Sequence, residues 1–292
     1  MKIDLVYNPA AGNFRQSRLD ALVAAFTARG ATVTPVPSRV EGDWLSGEAD
    51  LVCVHGGDGT LRDTVQALGD AARRVPLAIA PSGTINLVAR ELGYAKDPSR
   101  LAQQVLGAWA RGPESWVRAP LYRLGTMPVV ACLSIGPDSH AVADVSSALK
   151  KRIGRYAYVV AIMRQLRRWP RATMAISGEL SDGKPFGCEA EAAIVSHGAL
   201  YGGPFRLSPR AALAADSVEL ITLHRSTRLG TIAMTTAAML RLPLDRLGLA
   251  EIRTCRRLTF DRCVSPVQVD GDHMPDCAYA IGPSGMALSY VI

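Results

Sequence analysis

The chain has 292 residues, 48% of them hydrophobic, and a formal net charge of +7. That is material for one large domain or two ordinary ones with real cores, and no apolar run reaches the roughly eighteen residues needed to span a bilayer. Cys53, Cys132, Cys188, Cys255, Cys263 and Cys277 form no C-x-x-C and no histidine pair has ligand spacing, which leaves free thiols rather than a zinc site or a disulfide framework.

The chain runs directly into a strand signal at residues 3–7 with no signal-peptide core before it, so a cytoplasmic protein is expected. Ser17 is the expected cap of the first helix. Leu19, Leu22, Val23 and Phe26 follow at helical spacing, and Gly30 closes the run. Residues 31–36 read as a second strand. Residues 51–54 and 77–80 are short and wholly apolar, as in a parallel sheet covered on both faces. Thr60 opens an amphipathic run to Leu68, a further helical run covers 86–92 with Gly93 as its stop, and Pro98-Ser99 precede a helix over 100–111. Strands alternating with helices indicate α/β architecture with right-handed crossovers.

Gly112-Pro113 begins a change of texture. After Pro120 the strand signals come consecutively, at 121–124, 129–135, 172–180, 190–196 and 218–223. Only a helix over 148–169 and a run over 227–242 interrupt them, which is the pattern of an antiparallel sheet layer rather than of more βαβ units. The expected division is an N-terminal α/β domain over 1–115 and a C-terminal β-rich domain over 116–292.

The positive charge is local. Lys150, Lys151, Arg152, Arg155, Arg164, Arg167, Arg168 and Arg171 lie between 148 and 171 with no acidic residue among them, so the rest of the chain is close to neutral. Leu149, Ile153, Tyr156, Val159, Val160, Met163 and Leu166 recur there at the spacing of a helix face. One side of such a helix suits packing. The basic side suits an anionic membrane surface, at about 1 kcal/mol per basic residue. Few aromatic residues interleave with the arginines, and no nucleic-acid partner is expected.

Two glycine turns carry the chemical signal. Gly56-Gly57-Asp58-Gly59-Thr60 follows one apolar strand and Gly83-Thr84-Ile85-Asn86 the other, and each leads into a helix. Such turns let backbone N–H groups approach an anion, and the helix N-terminus favours negative charge. Ligands of parallel sheets bind beyond the carboxyl ends of the strands, where both turns lie. One polyphosphate site is expected, with Asp58 as a Mg²⁺ contact, direct or through water. Asp58 is expected to serve ligand and metal rather than core, so that Asp58→Ala leaves the fold intact. The chain has neither the P-loop pattern nor a G-x-G-x-x-G near its first strand.

Further motifs stand in a fixed order around these turns. They are Asn8-Pro9-Ala10-Ala11-Gly12, the run from Pro81 to Gly93, Tyr201-Gly202-Gly203 with its continuation to Arg210, and Val269-Asp270-Gly271-Asp272. Together they resemble the diacylglycerol-kinase-like lipid kinases, which share GGDGT with the NAD kinases. The resemblance implies ATP held by Asn8, Pro9, Gly12, Gly56, Gly57, Asp58, Gly59, Thr60, Gly83, Thr84 and Asn86. It implies a second domain built as a β-sandwich whose last strands return to the first. It makes Asp272, which stands where the family usually carries glutamate, the base for a lipid hydroxyl, with Asp270 beside it a lesser contributor. An acidic hairpin turn is the plain alternative for Asp270-Gly271-Asp272. Leu213, Asp216 and Val218 resemble the family's structural Mg²⁺ loop, with Ser217 in place of a glycine that would carry strain if φ were positive there. Gly136-Pro137-Asp138 stands where the family has a G-x-D segment lining the lipid cleft, with Pro137 a departure, and Asp138 is the expected contact for a lipid head group.

The expected activity is an ATP- and Mg²⁺-dependent lipid kinase acting on a hydroxyl of a diacylglycerol-like or sphingoid lipid, peripherally membrane-associated, with a homodimer left open. The alternatives are an NAD kinase-like enzyme and a non-catalytic lipid- or nucleotide-binding protein.

Overall fold

The computed structural model describes residues 1–11, 13–38, 45–144, 173–225, 227–261, 266–274 and 279–292. Gly12 and the basic 148–171 segment lie outside the described residues. The chain forms two compact units, Met1–Leu121 with Gly285–Ile292, and Tyr122–Ser284.

The first unit holds β1 (Lys2–Tyr7), α1 (Gln16–Thr27), β2 (Thr32–Pro37), β3 (Leu51–Gly56), α2 (Asp58–Leu68), β4 (Leu77–Pro81), α3 (Leu87–Glu91) and α4 (Pro98–Arg111). Its strands are parallel in the order β2-β1-β3-β4. Every residue of β3 and β4 is buried, which is why both read as unbroken apolar runs. The register pairs Tyr7 with His55 and Gly56 with Pro81, so β1, β3 and β4 end at one level and the two glycine turns emerge side by side. Leu19, Leu22 and Phe26 of α1 are buried, and α1 packs on α4, which buries Leu101, Ala102, Val105 and Ala108. Each fully buried Leu or Phe stabilises the unit by about 1.5–3 kcal/mol.

Helix starts differ from the sequence reading in three places. The first helix begins at Gln16 after an extended Arg15 that makes no side-chain cap, and Ser17 lies inside it, exposed. The second begins at Asp58, because Gly57 takes the cap position and an acid in the first turn complements the helix dipole. The last begins at Pro98, because the Asp97 carboxylate accepts the Arg100 N–H at 2.9 Å and proline suits the first helical position. The C-terminus is fastened to this unit by the Tyr94 hydroxyl, which donates to the Val291 carbonyl at 2.9 Å.

The second unit is antiparallel. Its elements are β5 (Val117–Leu124, entering from the first unit), β6 (Met127–Val129), β7 (Cys132–Ile135), α5 (Pro137–Asp144), β8 (Met174–Leu180), β9 (Pro185–Ala190), β10 (Ala192–Ser196), β11 (Val218–Leu223), α6 (Arg228–Met239), β12 (Glu251–Phe260), β13 (Val267–Val269), β14 (Asp272–Met274) and β15 (Ala280–Tyr290, which ends in the first unit). The strand order β14-β13-β7-β10-β11-β12 continues through β8 to β9. β12 pairs with β11 along its first half and with β8 along its second, and its register shifts between Cys255 and Arg257.

β10 and β11 are buried on both faces. Ala193, Val195, Val218 and Leu220 enter one core with side chains of β5, β7, β8, β12 and β13. Ala192, Ile194, Ile221 and Leu223 enter a second core, closed by Met234, Ala237 and Ala238 of α6. The apolar run read over 129–135 is two strands, because the chain turns between Val129 and Cys132. β9, β12 and β15 carried no recognised signal. β12 interleaves Glu251, Arg253, Arg256 and Arg257 with its apolar residues, and β15 contains Gly282, Pro283 and Gly285. Among the described residues no helix is long and apolar enough to cross a membrane.

Candidate functional site

In the first unit the two glycine turns lock together. The Gly56 carbonyl accepts the N–H groups of Ser82 at 3.1 Å and Gly83 at 3.3 Å. A Cβ on Gly83 would stand 2.6 Å from Gly57 Cα and 2.7 Å from Asn86 Oδ1, and one on Gly56 would stand 2.5 Å from Thr60 Cβ. Only glycine permits that approach of backbone to backbone. Asn86 sits at φ 56°, ψ 62°, left-handed for a non-glycine residue, and its amide donates to the Gly83 carbonyl at 2.8 Å. Asn8 closes its own turn by accepting the Ala10 N–H at 2.9 Å, and its amide points to Thr60 Oγ1 at 3.5 Å. Pro9 is exposed after β1, Gly59 is half-buried in the first turn of α2, and Thr84 is half-buried in the turn before α3.

Asp58 departs from the sequence reading. Its carboxylate is buried, and its two oxygens accept the backbone N–H groups of Leu87 at 2.8 Å and Val88 at 3.0 Å. These are amides of the first turn of α3, which has no side-chain cap of its own. Asp58 therefore fastens α3 to the start of α2, a structural role beyond the ligand role expected from the sequence. Its removal leaves amides unpaired in a buried place.

The turns also gather buried polar atoms that lack a partner. Among the described residues of this unit these are Arg18 Nε, His55 Nε2, Ser82 Oγ and Asn86 Oδ1. His55 and Ser82 flank the turns, and the Arg18 guanidinium donates to the Pro81 carbonyl at 3.2 Å. Buried polar groups are normally satisfied, so orphans concentrated at the carboxyl ends of parallel strands mark a place for a polar ligand or ordered water. His55 pairs its other nitrogen with the Ala80 carbonyl at 3.2 Å, and burial lowers its pKa, so the ring is neutral at pH 7. His55 is absent from the sequence-derived candidates, and the signal that marks it is a histidine ending an otherwise apolar strand directly before Gly56.

In the second unit, Asp270-Gly271 is the two-residue turn of the β13–β14 hairpin, with φ 52° and 86°. The Asp270 carboxylate is buried and accepts three backbone N–H groups, from Val130 at 3.2 Å, Ala131 at 2.8 Å and Cys132 at 3.1 Å. The Gly271 N–H donates to Gln268 Oε1 at 2.7 Å. The hairpin is thus clamped to the start of β7, and Asp270 is a structural clamp. Asp272, opposite Val269 at the first position of β14, is half-buried on this rigid turn.

α5 packs on β14, β13 and β7, so Asp138 in its first turn belongs to the same corner of the unit. The Tyr201 hydroxyl donates to the Asp138 carboxylate. Burial first, and then the Asp138 charge, raise the Tyr201 pKa well above its usual value, which keeps that proton on the tyrosine. Leu213 and Val218 are buried, and the Asp216 carbonyl accepts the Tyr122 hydroxyl at 2.9 Å. Ser217 is not among the residues with positive φ, so serine sits there without backbone strain. Among the described residues no three His, Cys, Asp or Glu side chains gather as a metal cluster.

Residues 2–112 match the sequence profile of the diacylglycerol kinase catalytic domain. That stretch is similar to the diacylglycerol kinase catalytic domain. The likeness continues beyond it. The diacylglycerol kinase of Bacillus subtilis (strain 168) is 25% identical over 244 residues, 80% of this chain and 78% of that protein. The probable lipid kinase YegS-like of Pseudomonas fluorescens is 29% identical over 274 residues, 88% of this chain and 87% of that protein. The crystal structure of a diacylglycerol kinase from Bacillus anthracis str. Sterne superposes with a TM-score of 0.69 at 19% identity, covering 99% of this chain and 96% of that one, a likeness of fold.

Within the diacylglycerol kinase catalytic-domain region, Asp58→Ala is expected to lower unfolding stability by about 1–3 kcal/mol, because buried amides lose their acceptor. Urea unfolding monitored by circular dichroism measures it. A midpoint equal to wild type would show that the Leu87 and Val88 amides find other partners.

Proposed function

We propose that this chain transfers the terminal phosphoryl group of ATP to a hydroxyl of a diacylglycerol-like or sphingoid lipid. The observation that carries the reading is the pair of interlocked glycine turns with unpartnered Ser82 Oγ and Asn86 Oδ1 beside them, within the diacylglycerol kinase catalytic-domain region. The turns fit a polyphosphate, because every Cβ that would fill the approach is missing. Asn8, Gly56, Gly57, Gly59, Thr60, Gly83, Thr84 and Asn86 would hold the nucleotide, with Pro9 in the adjoining turn.

Among the described residues no three His, Cys, Asp or Glu side chains form a metal cluster, and both Asp58 oxygens already accept amides. Mg²⁺, which neutralises phosphate charge when it arrives with a nucleotide, would be bound chiefly by phosphates and water. A second cation at the loop would take the Asp216 carboxylate and the carbonyls of Leu213 and Val218.

Phosphoryl transfer asks the protein for positioning and for a proton acceptor. Asp272 is the base in this reading. It takes the hydroxyl proton as the lipid oxygen bonds to the terminal phosphorus and the bond to the ADP oxygen breaks. The rigid Asp270-Gly271 turn holds that carboxylate in place, and Asp138, oriented by Tyr201, contacts the lipid head group. The basic 148–171 segment supplies attraction to anionic lipid.

Labelled ATP offered with a lipid extract, and separately with NAD, tests the reading. Label in a lipid product is the expected result. Label in NADP alone would make the chain an NAD kinase, and label in neither would make it a binding protein.

A further inference from the structure

Six of the seven large hydrophobic side chains exposed among the described residues lie on α6 and the loop after it. They are Leu229 (80% exposed), Ile232 (51%), Met239 (63%), Leu240 (65%), Leu242 and Leu247. α6 already buries Met234, Ala237 and Ala238 in the core it closes over β10 and β11. Leu229, Ile232, Met239 and Leu240 fall on the opposite face at the 3.6-residue period. Apart from the exposed Thr236, this outer face sets large apolar side chains in water, which is not what a surface helix of a monomeric soluble domain shows, and a cluster of exposed apolar side chains of this kind marks an interaction site.

The charge around the patch selects the partner. Arg225, Arg241 and Arg246 are exposed in the same stretch of chain, and Asp245 is the one acidic residue between 225 and 248. A second copy in a two-fold contact would bring this basic rim against itself, which disfavours self-association. An anionic bilayer satisfies both features, because apolar side chains enter the acyl boundary while arginines meet lipid phosphates. We infer that the outer face of α6 and the following loop, through Leu229, Ile232, Met239, Leu240, Leu242 and Leu247, docks on an anionic membrane surface. This surface is separate in sequence from the basic 148–171 segment. The inference deepens the lipid-kinase reading by bringing the chain to the bilayer that holds its substrate, and vesicle binding is measured without turnover, so the two readings are tested apart.

Sedimentation of the full chain with vesicles of phosphatidylglycerol and phosphatidylcholine in equal parts, and with phosphatidylcholine alone, is the experiment. Wild type should bind the anionic vesicles more tightly, and less so as salt rises. The combined variant Leu229→Ser, Ile232→Ser, Met239→Ser, Leu240→Ser should bind them about tenfold or more weakly, because its apolar anchors are gone. Its circular dichroism should match wild type, since the four side chains are exposed. Leu240→Trp, tested alone, should give a blue-shifted emission component when anionic vesicles are added. Unchanged vesicle binding by the serine variant, or no emission shift from Leu240→Trp, overturns the inference. So does conversion of an oligomer to a monomer by the serine variant with vesicle binding unaltered, which would assign the face to a second copy. Loss of phosphate transfer to every lipid by wild type, with vesicle binding intact, would remove the kinase reading and leave this one standing.

Discussion

Asp272→Asn should lower kcat by about 10²–10⁴-fold with nucleotide affinity nearly unchanged, because it keeps size and hydrogen bonding but removes the basic form. Steady-state kinetics with ATP and a detergent-dispersed lipid measure it. Asp272→Glu lengthens the reach by one methylene and should retain or raise activity. The neighbouring carboxylate is not the mild control that its sequence position suggests. Asp270 accepts three backbone N–H groups in a buried clamp, and an asparagine there must turn its amide toward at least one of them. Asp270→Asn should therefore lower stability by about 1–3 kcal/mol, whereas Asp272→Asn, at a half-buried position, should leave the unfolding midpoint close to wild type. A variant pair in which both properties move together would mean that Asp272 is structural too. Wild-type turnover by Asp272→Asn would place the base elsewhere, with Asp216 the next carboxylate to test.

Gly83→Ala should be about 1–3 kcal/mol less stable and should bind nucleotide about tenfold to a hundredfold more weakly. The added methyl meets backbone, Gly57 Cα at 2.6 Å, and backbone cannot swing aside as a side chain can. Relief separates the two turns and spoils the N–H groups that would cradle phosphate. Gly57→Ala, whose nearest neighbour would be Gly83 Cα at 3.2 Å, should lose less. Gly107→Ala is the informative contrast. It lies inside α4, where the new methyl would meet nothing closer than the flexible Arg111 guanidinium at 3.7 Å. There the same substitution should stabilise by up to about 1 kcal/mol through helix propensity. Calorimetry of nucleotide binding together with thermal unfolding separates the three. Equal behaviour of Gly83→Ala and Gly107→Ala would mean that the close approach of the turns is unimportant.

The amino-acid sequence determined what depends on neighbours along the chain. β3 and β4 were legible because strands covered on both faces must be apolar throughout. The two turns were legible because a backbone that approaches another backbone needs glycine, and their order along the chain carried the family. The Asp270-Gly271 hairpin was legible as a plain turn from the same local chemistry. Tertiary structure alone decided what each polar side chain does once folded. Asp58 stands at the start of α2 yet fastens α3 through the Leu87 and Val88 amides. Asp270 looks like a hairpin acid yet clamps Val130, Ala131 and Cys132. Those acceptor–donor pairs lie far apart in the chain, and a carboxylate gives no local sign of which distant amides it will meet. The same holds for α6, whose large apolar residues are spread around the helix among threonines and alanines. Only the packing of Met234, Ala237 and Ala238 over β10 and β11 leaves Leu229, Ile232 and Leu240 in water.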